Sequence, residues 1–155
     1  MTQAEKLITY LREQGWQIRC VESCTAGGLT AAIGAIPGAS DVLDRSWVTY
    51  SNQAKHEEVR VPLKTLETFG AVSQEVVLAM VSGAVQRCAQ PTLALAISGI
   101  AGPSGGTQDK PVGTVWIGLK APNQEAIAQC FYFQGSRQEV QQQAIEAALA
   151  MPFQA

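Results

Sequence analysis

The chain has 155 residues, 46% of them apolar, and its 11 basic and 13 acidic residues give a net charge of -2. This size and composition allow a core to form without metals or disulfides, and we expect residues 1–155 to fold as a single domain. The charges are scattered without a basic run, which argues against a nucleic-acid partner but leaves open a small anionic ligand held by one or two cations and backbone N–H groups.

The first part of the chain predicts a helix, a strand and a second helix. Apolar residues recur at helical spacing over residues 3–14, and Gly15 is a typical C-terminal stop. The alternation in WQIRCVE, residues 16–22, predicts a strand. A polar turn follows, and a helical period returns over residues 26–36 before Pro37 ends it.

The middle of the chain predicts one strand and two helices. RSWVTY, residues 45–50, has the composition of a strand. Asn52 is a suitable cap for the helix that follows, and Pro62 marks its end. Ser73 can cap a long helix over residues 74–89, because apolar side chains recur there on one face.

The last part predicts three strands and a final helix. The apolar run TLALAIS, residues 92–98, is typical of a strand buried on both faces of a sheet. Residues 114–121 and 125–133 have the pattern of a hairpin, and the S-x-x-E motif at Ser136 predicts a helix through Leu149. Because helices and strands interleave before the hairpin, we predict an α/β fold: a three-layer α/β/α domain with a mixed, mostly parallel sheet of five or six strands.

The cysteines and the N-terminal segment indicate a cytoplasmic protein. The four cysteines form no C-x-x-C pair and His56 is the single histidine, so we expect reduced thiols, no metal site and no cofactor. Charges stand where a signal peptide would carry its apolar core. The longest uncharged span, residues 23–40, is broken by Pro37 and Gly38, so we expect no membrane partner.

The turn after the first strand is the first candidate site. ESCTAGG, residues 22–28, places Ser23 where the carboxyl edge of an α/β sheet binds ligands. N–H groups at the start of the next helix and the helix dipole would favour an oxyanion beside Ser23. The alternative is that Ser23 or Thr25 only caps the helix.

A glycine-rich segment is the second candidate. GIAGPSGGTQDKPVG, residues 99–113, has no periodicity, and loops of this length in compact domains are usually functional or disordered. The residues that would let the backbone approach a ligand, or donate to one, are Gly99, Gly102, Gly105, Gly106, Thr107 and Lys110. The segment matches neither a Walker A loop nor G-x-G-x-x-G, so kinase and dehydrogenase functions lose their main support. The alternative is a flexible surface loop.

Lys55, in TYSNQAK, is the third candidate. A lysine is normally a solvated cation, but His56 lies among charges and is expected to face water, so a partly desolvated Lys55 would be the better base for Ser23. Burial lowers the pKa of a lysine, and Ser-Lys pairs are an established variant of the catalytic triad. Tyr50 would then orient or relay the proton. Two rival nucleophiles remain, Ser51 and Cys24.

Arg137 is the last candidate. It follows the Ser136 cap, so its guanidinium and the helix N-terminus together could bind a phosphate. The alternative is a solvated surface arginine.

Five blocks of the sequence resemble one known family. They are ESCTAGG, VTYSNQAK, GAVS at residues 70–73, SGIAGPSGGTQDKPVGTVWI and GSRQEV. In this order and close to this spacing, they resemble the C-terminal domain family of the competence/damage-inducible protein CinA over almost the whole chain. Stand-alone members of that family are nicotinamide-nucleotide amidases.

The resemblance implies hydrolysis of the carboxamide of nicotinamide mononucleotide to nicotinate mononucleotide and ammonia, in pyridine nucleotide salvage. It also implies an α/β/α fold and a self-associating protein, and hence a homo-oligomer. The family's proposed nucleophile, tyrosine and lysine fall on Ser23, Tyr50 and Lys55, which we predict to be catalytic. The predicted substrate-binding residues are Thr25, Ser98, Gly99, Gly102, Gly105, Gly106, Thr107 and Arg137.

Two departures from the family pattern are visible. Ala26 takes the place of the family's first glycine, which is tolerable only if its φ is below zero. Ser136 stands where the family more often has Asp, and either residue caps a helix. Two alternative functions stay open: a nucleotide-binding module without turnover, and a Ser-Lys hydrolase of another small amide or ester.

Overall fold

A computed structural model describes residues 1–154, in which a central sheet is covered by helices on both faces. The strands are β1 (Gln17–Glu22), β2 (Leu43–Val48), β3 (Thr92–Gly99), β4 (Thr114–Lys120) and β5 (Ile127–Tyr132). The helices are α1 (Gln3–Gln14), α2 (Gly28–Gly34), α3 (Asn52–Val59), α4 (Leu63–Phe69), α5 (Gln74–Ala84) and α6 (Arg137–Ala150). Short 3₁₀ turns cover Ala39–Asp41 and Met151–Phe153. None of the helices in residues 1–154 has the length and apolar composition needed to cross a bilayer.

The strand order is β2-β1-β3-β4-β5. β1 is parallel to both β2 and β3, whereas β4 is antiparallel to both β3 and β5. Four strands therefore run in one direction and β4 runs in the other. The prediction of an α/β fold with a mixed, mostly parallel sheet is confirmed.

Two apolar layers hold the helices against the sheet. Because side chains alternate along a strand, Ile18 and Leu95 face a layer with α1, α2 and α6, whereas Val21 and Ala96 face a layer dominated by α5. These four side chains are fully buried, so both faces of the parallel strands are covered. This double coverage explains the continuous apolar run in β3.

Most predicted elements are present, and three differ. Ser51 rather than Asn52 caps α3, because its Oγ accepts a hydrogen bond from the Ala54 N–H at 3.0 Å. Pro62 does not only end a helix: it is the N-cap of α4, which the sequence did not predict. α5 ends at Ala84 instead of residue 89, and the buried Arg19 guanidinium donates to the carbonyl oxygen of this last residue at 3.0 Å.

The parallel strands decide where the chemistry can occur. β2, β1 and β3 lie side by side and finish at the same edge of the sheet. Ser23 follows β1 directly, Tyr50 lies two residues after the end of β2, and Ser98 is the penultimate residue of β3. Three segments that are distant in sequence therefore meet at one carboxyl edge, which is where open α/β sheets bind ligands.

Candidate active site

A cavity of about 260 Å³ opens at this carboxyl edge. Most of the predicted site residues line it, namely Ser23, Tyr50, Lys55, Ser98, Gly99, Gly102, Gly105 and Arg137. Further lining comes from Ala71 and Val72, in the connection between α4 and α5. Both belong to the GAVS block, but their small apolar side chains carry no chemical signature from which a role could be predicted.

Lys55 and Ser23 form the centre of the cavity. Lys55 lies in α3 and is 1% exposed, and its Nζ is 3.0 Å from Ser23 Oγ. The same Nζ is 2.8 Å from the carbonyl oxygen of Thr49 and 3.4 Å from that of Tyr50. Within residues 1–154, no carboxylate lies within 4.0 Å of this amine. Lys55 is therefore buried among neutral groups.

This environment shifts the acid–base equilibrium of Lys55 toward the neutral amine. Burial lowers the pKa of Lys55 from 10.5 to about 8. A neutral amine has two hydrogens and one lone pair. Its hydrogens can be donated to the two carbonyl oxygens, which leaves the lone pair to accept the proton of the Ser23 hydroxyl. The contact therefore has the geometry of a nucleophile and its base.

Glu22 holds the turn that carries Ser23. Its carboxylate is fully buried and accepts hydrogen bonds from the N–H groups of Leu29 and Thr30, at 2.8 and 2.9 Å. The hydroxyls of Thr25 and Thr30 donate to it as well, both at 2.6 Å. This role of Glu22 was not predicted from the sequence. The available indication was a carboxylate at the last position of a buried strand, where an acid needs several donors to compensate for lost water.

The Glu22 contacts correct two expectations about α2. The N–H groups at the start of α2 are already bonded to a carboxylate, so they are not free to stabilise an oxyanion beside Ser23. The Thr25 hydroxyl is likewise bonded to Glu22, and Thr25 does not line the cavity. Gly27 occupies the cap position of α2, so Ser23 does not act as the cap either.

The backbone of the turn contradicts the expectation for Ala26. Its φ is +51°, in the left-handed region that favours glycine, and the following Gly27 has a φ of +97°. Two consecutive residues of this kind reverse the chain sharply, and the Ala26 N–H donates to the Ser23 carbonyl at 3.0 Å. Ala26 is exposed, so its side chain meets no neighbour and the conformation is tolerated at a cost in backbone strain.

The rival groups are less suited to the chemistry. Cys24 lines the cavity, but burial and the nearby Glu22 raise the pKa of its thiol to about 11, so the thiol stays protonated. Ser51 uses its hydroxyl to cap α3, and His56 places its Nδ1 2.8 Å from the Val61 carbonyl oxygen. Neither Ser51 nor His56 lines the cavity.

The glycine-rich loop supplies the opposite wall. Gly102 and Gly105 have φ values of +85° and +93°, which only glycine adopts without strain. Four backbone N–H groups on this wall donate to no acceptor within residues 1–154, those of Ala101, Gly102, Ser104 and Gly105. They are available to an anionic or carbonyl ligand.

Two predicted loop residues lie outside the cavity. Neither Gly106 nor Thr107 lines it. Thr107 closes a turn instead: its Oγ1 accepts from the Lys110 N–H at 3.0 Å, and its own N–H donates to the Lys110 carbonyl at 2.9 Å. The Lys110 side chain donates to the Phe69 carbonyl at 2.8 Å. This end of the loop is therefore used in local structure.

Arg137 joins three walls of the cavity. Its Nη1 donates to the Gly102 carbonyl at 2.7 Å and its Nη2 to the Tyr50 hydroxyl at 2.6 Å. The Tyr50 side chain thus contacts Arg137, and only its main-chain carbonyl faces Lys55. Ser98 is 1% exposed and also lines the cavity. Residues 1–154 contain no cluster of three or more His, Cys, Asp or Glu side chains suited to hold a metal.

Comparison with known proteins identifies the family. The family described as CinA C-terminal domain matches residues 1–154. The nicotinamide-nucleotide amidohydrolase PncC of Enterobacter agglomerans is 46% identical over 134 residues, which cover 86% of this chain and 81% of that protein. A CinA-like protein of Syntrophobacter fumaroxidans is 45% identical over 91% of this chain, but the chain spans only 33% of that longer relative.

A solved structure agrees in fold as well as in sequence. The crystal structure of the competence/damage inducible protein CihA from Agrobacterium tumefaciens superposes with a TM-score of 0.92 at 38% identity. The match covers 98% of this chain and 92% of that one. This protein therefore belongs to the CinA C-terminal domain family.

Proposed function

We propose that this protein is an amidohydrolase that converts nicotinamide mononucleotide to nicotinate mononucleotide and ammonia, with Ser23 as nucleophile and Lys55 as base. The observation that carries the proposal is the 3.0 Å contact between Lys55 Nζ and Ser23 Oγ inside a cavity. The substrate is inferred from relatives named nicotinamide-nucleotide amidohydrolase, which match over most of the chain.

In the first step, the neutral Lys55 amine accepts the Ser23 proton while Ser23 Oγ attacks the carboxamide carbon. The resulting oxyanion would be stabilised by the new ammonium of Lys55 and by the free N–H groups of the glycine-rich loop. The Ser98 hydroxyl, which lines the cavity, would offer one further donor. These donors replace the N–H groups of α2, which Glu22 occupies.

In the second step, the Lys55 ammonium gives its proton to the leaving nitrogen, the carbon–nitrogen bond breaks and ammonia departs. Ser23 is left as an ester of the nicotinate group. Lys55, neutral again, takes a proton from a water molecule that attacks this ester, and returns it to Ser23 Oγ as the acid is released. Turnover should therefore rise with pH and level off above about pH 8, the pKa of Lys55.

Arg137 and the loop would hold the ribose and the 5′-phosphate. Two of the Arg137 nitrogens already bond Gly102 and Tyr50, which fixes the guanidinium, and its remaining N–H groups stay available for a phosphate oxygen. Binding energy from this remote group would position the amide at Ser23. Tyr50 would act by orienting Arg137 through its hydroxyl and Lys55 through its carbonyl.

Ammonia release tests the proposal. We expect release from nicotinamide mononucleotide, much less from nicotinamide riboside and least from nicotinamide. Ser23→Ala should lower the rate at least 10³-fold, whereas Cys24→Ala should change it less than tenfold. Undiminished turnover by Ser23→Ala would contradict the nucleophile assignment. Binding of the mononucleotide without ammonia would indicate a binding module, and equal rates with the riboside would indicate a hydrolase of another amide.

We also propose that the protein self-associates and acts in the cytoplasm. β2 and β5 each pair on one side only within residues 1–154, and they carry the exposed side chains of Val48 and Tyr132. Unpaired strand edges of this kind favour contact with another chain. Light scattering on the purified protein would measure the mass, and a monomeric mass at micromolar concentration would contradict self-association.

A further inference from the structure

A second cavity, of about 170 Å³, is lined by four arginines and shares no residue with the active-site cavity. The four are Arg19, Arg45, Arg60 and Arg87, and we call this cavity the arginine groove. Trp47 and Glu58 also line it. The chain has only two other arginines, Arg12 and Arg137, so its guanidinium groups are concentrated at one place on an overall acidic protein.

Positive charge in the arginine groove is only partly balanced. Asp44 accepts from Arg19 Nε at 2.8 Å and from Arg45 Nε at 2.7 Å, so one carboxylate serves two guanidinium groups. Within residues 1–154, no carboxylate lies within 4.0 Å of Arg60 or Arg87. Counting Glu58 as well, two carboxylates face four guanidinium groups, which leaves a local charge of +2.

Arg19 gives the groove a rigid base. It is 3% exposed, and its Nη1 donates to the carbonyls of Ala84 and Gln86 at 3.0 and 3.2 Å. Its Nη2 donates to no residue within 1–154, yet it is not fully enclosed. The Arg19 guanidinium is thus held by three acceptors, and Arg19 lines the groove.

The backbone provides an independent indication that the exposed arginines serve a ligand. Arg60 has a φ of +61° and Arg87 a φ of +56°, in the left-handed region where glycine is unstrained. Arg60 is moreover the cap residue directly after α3, a position at which glycine is the usual choice. Both strained positions carry arginine and both side chains line the same groove, as expected when strain is retained for binding.

We propose that the arginine groove binds the diphosphate group of a small molecule. Guanidinium forks match phosphate oxygens in pairs, and several of them favour a ligand with more than one negative charge. The volume is below the roughly 300–1,000 Å³ of sites that enclose drug-sized ligands, so the groove would hold the anionic group alone. Free pyrophosphate and a nucleoside diphosphate share this chemistry, and Trp47 offers a ring on which a base would stack.

Calorimetric titration with pyrophosphate at constant ionic strength tests the proposal, independently of any turnover. We expect one bound pyrophosphate per chain at the groove, and at least a tenfold loss of affinity in the double variant Arg60→Gly/Arg87→Gly. Because glycine accepts both φ values, this variant should keep or raise the melting temperature, so a loss of affinity cannot be ascribed to unfolding. The matched control Lys6→Gln/Arg12→Gln removes two exposed charges from α1 and should change affinity less than twofold.

Two further comparisons distinguish a nucleoside diphosphate from free pyrophosphate, and the arginine groove from the active-site cavity. Tighter binding of ADP than of pyrophosphate, lost in the glycine variant, would identify a nucleoside diphosphate, and the reverse order would identify free pyrophosphate. Three results would overturn the proposal. They are the absence of saturable binding, an equal loss in the Lys6/Arg12 control, and binding that Arg137→Gln abolishes while the glycine variant retains it.

Discussion

Two buried cations lie beside the parallel strands, and their surroundings differ. Lys55 is 1% exposed and contacts a hydroxyl and two carbonyl oxygens, with no carboxylate of residues 1–154 in reach. Arg19 is 3% exposed and contacts the Asp44 carboxylate at 2.8 Å, as well as the carbonyls at the end of α5. Arg19 lies in β1 and Lys55 contacts the segment after β2, yet only Arg19 has a carboxylate as its counter-charge.

The difference shows how one fold uses burial for two purposes. A buried lysine without a counter-charge loses its proton readily, so burial turns it into a base. A guanidinium keeps its charge in proteins and must be matched by an anion or remain at an edge where an anionic ligand can reach it. The environment of Lys55 therefore suits proton transfer, whereas that of Arg19 suits structure and anion binding.

The largest effect should come from removing the buried amine. Lys55→Met keeps the volume of the side chain and removes the proposed base, so we expect ammonia release to fall about 10³-fold. The exposed Lys64 in α4 provides a matched control, and Lys64→Met should stay within twofold of the wild type. A Lys55→Met variant with near-normal turnover and an intact circular dichroism spectrum would remove the basis of the comparison.

Comparison of the wild type with Lys55→Met also shows how the lowered pKa of Lys55 affects the free energy of unfolding. The unfolded chain holds the Lys55 proton up to its ordinary pKa of 10.5, whereas the folded protein releases it above about 8. The unfolded state therefore binds more protons between these pH values, and the free energy of unfolding of the wild type should rise relative to Lys55→Met as the pH increases from 8 to 10.5. The expected rise is about 3 kcal/mol, at 1.36 kcal/mol per pKa unit. Urea denaturation at several pH values measures it, and a constant difference would show that Lys55 titrates normally.

The counter-charge of Arg19 should matter for stability and not for turnover. Asp44→Asn leaves a buried guanidinium without its anion, so we expect a loss of about 2 kcal/mol in the free energy of unfolding. Ammonia release should stay within threefold, because Asp44 does not line the active-site cavity. Asp41→Asn is the control: its pair with Arg12 is exposed, at 50% and 63% of the two side chains, and should contribute less than about 0.5 kcal/mol. Equal losses in both variants would contradict the contrast between buried and exposed pairs.

The smallest effect concerns the turn that carries Ser23 to Lys55. Ala26→Gly relieves a left-handed φ at an exposed residue and should stabilise the protein by about 0.5–1 kcal/mol. Ala31→Gly, at an exposed position within α2, should instead destabilise it by about 1 kcal/mol, because a helix interior disfavours glycine. Thermal melts of the two variants give the signs, and a shift in the same direction for both would mean that Ala26 is unstrained.

Local sequence patterns predicted the helices and strands well where the structure depends on residues close together in the chain. The capping box at Ser136 and the helical spacing of α1 each depend on residues a few positions apart, and both are confirmed. Prediction failed where a distant group intervenes. α5 stops early at Ala84, whose carbonyl accepts a hydrogen bond from the distant Arg19, and N–H groups of α2 donate to Glu22.

In the candidate active site, the residue types that can carry chemistry were easier to predict from the sequence than their hydrogen-bond partners. Ser23, Lys55 and Arg137 could be named from the sequence because their hydroxyl, amine and guanidinium groups follow predicted strand ends or a predicted helix cap and lie in blocks that resemble one family. Thr25 and Thr107 have the same kind of hydroxyl, but the structure directs both to local hydrogen bonds. The direction of a hydroxyl depends on the nearest available partner, which sequence spacing does not specify.

By itself, the sequence determined the class of fold, the order of its elements and the segments that could carry chemistry, because these follow from periodicity, caps and residue types along the chain. Only the tertiary structure decided that Lys55 is buried without a counter-charge, that Glu22 occupies the start of α2 and that four arginines share one groove. Each of these depends on which distant groups become neighbours, and desolvation and charge pairing act through space and not along the chain.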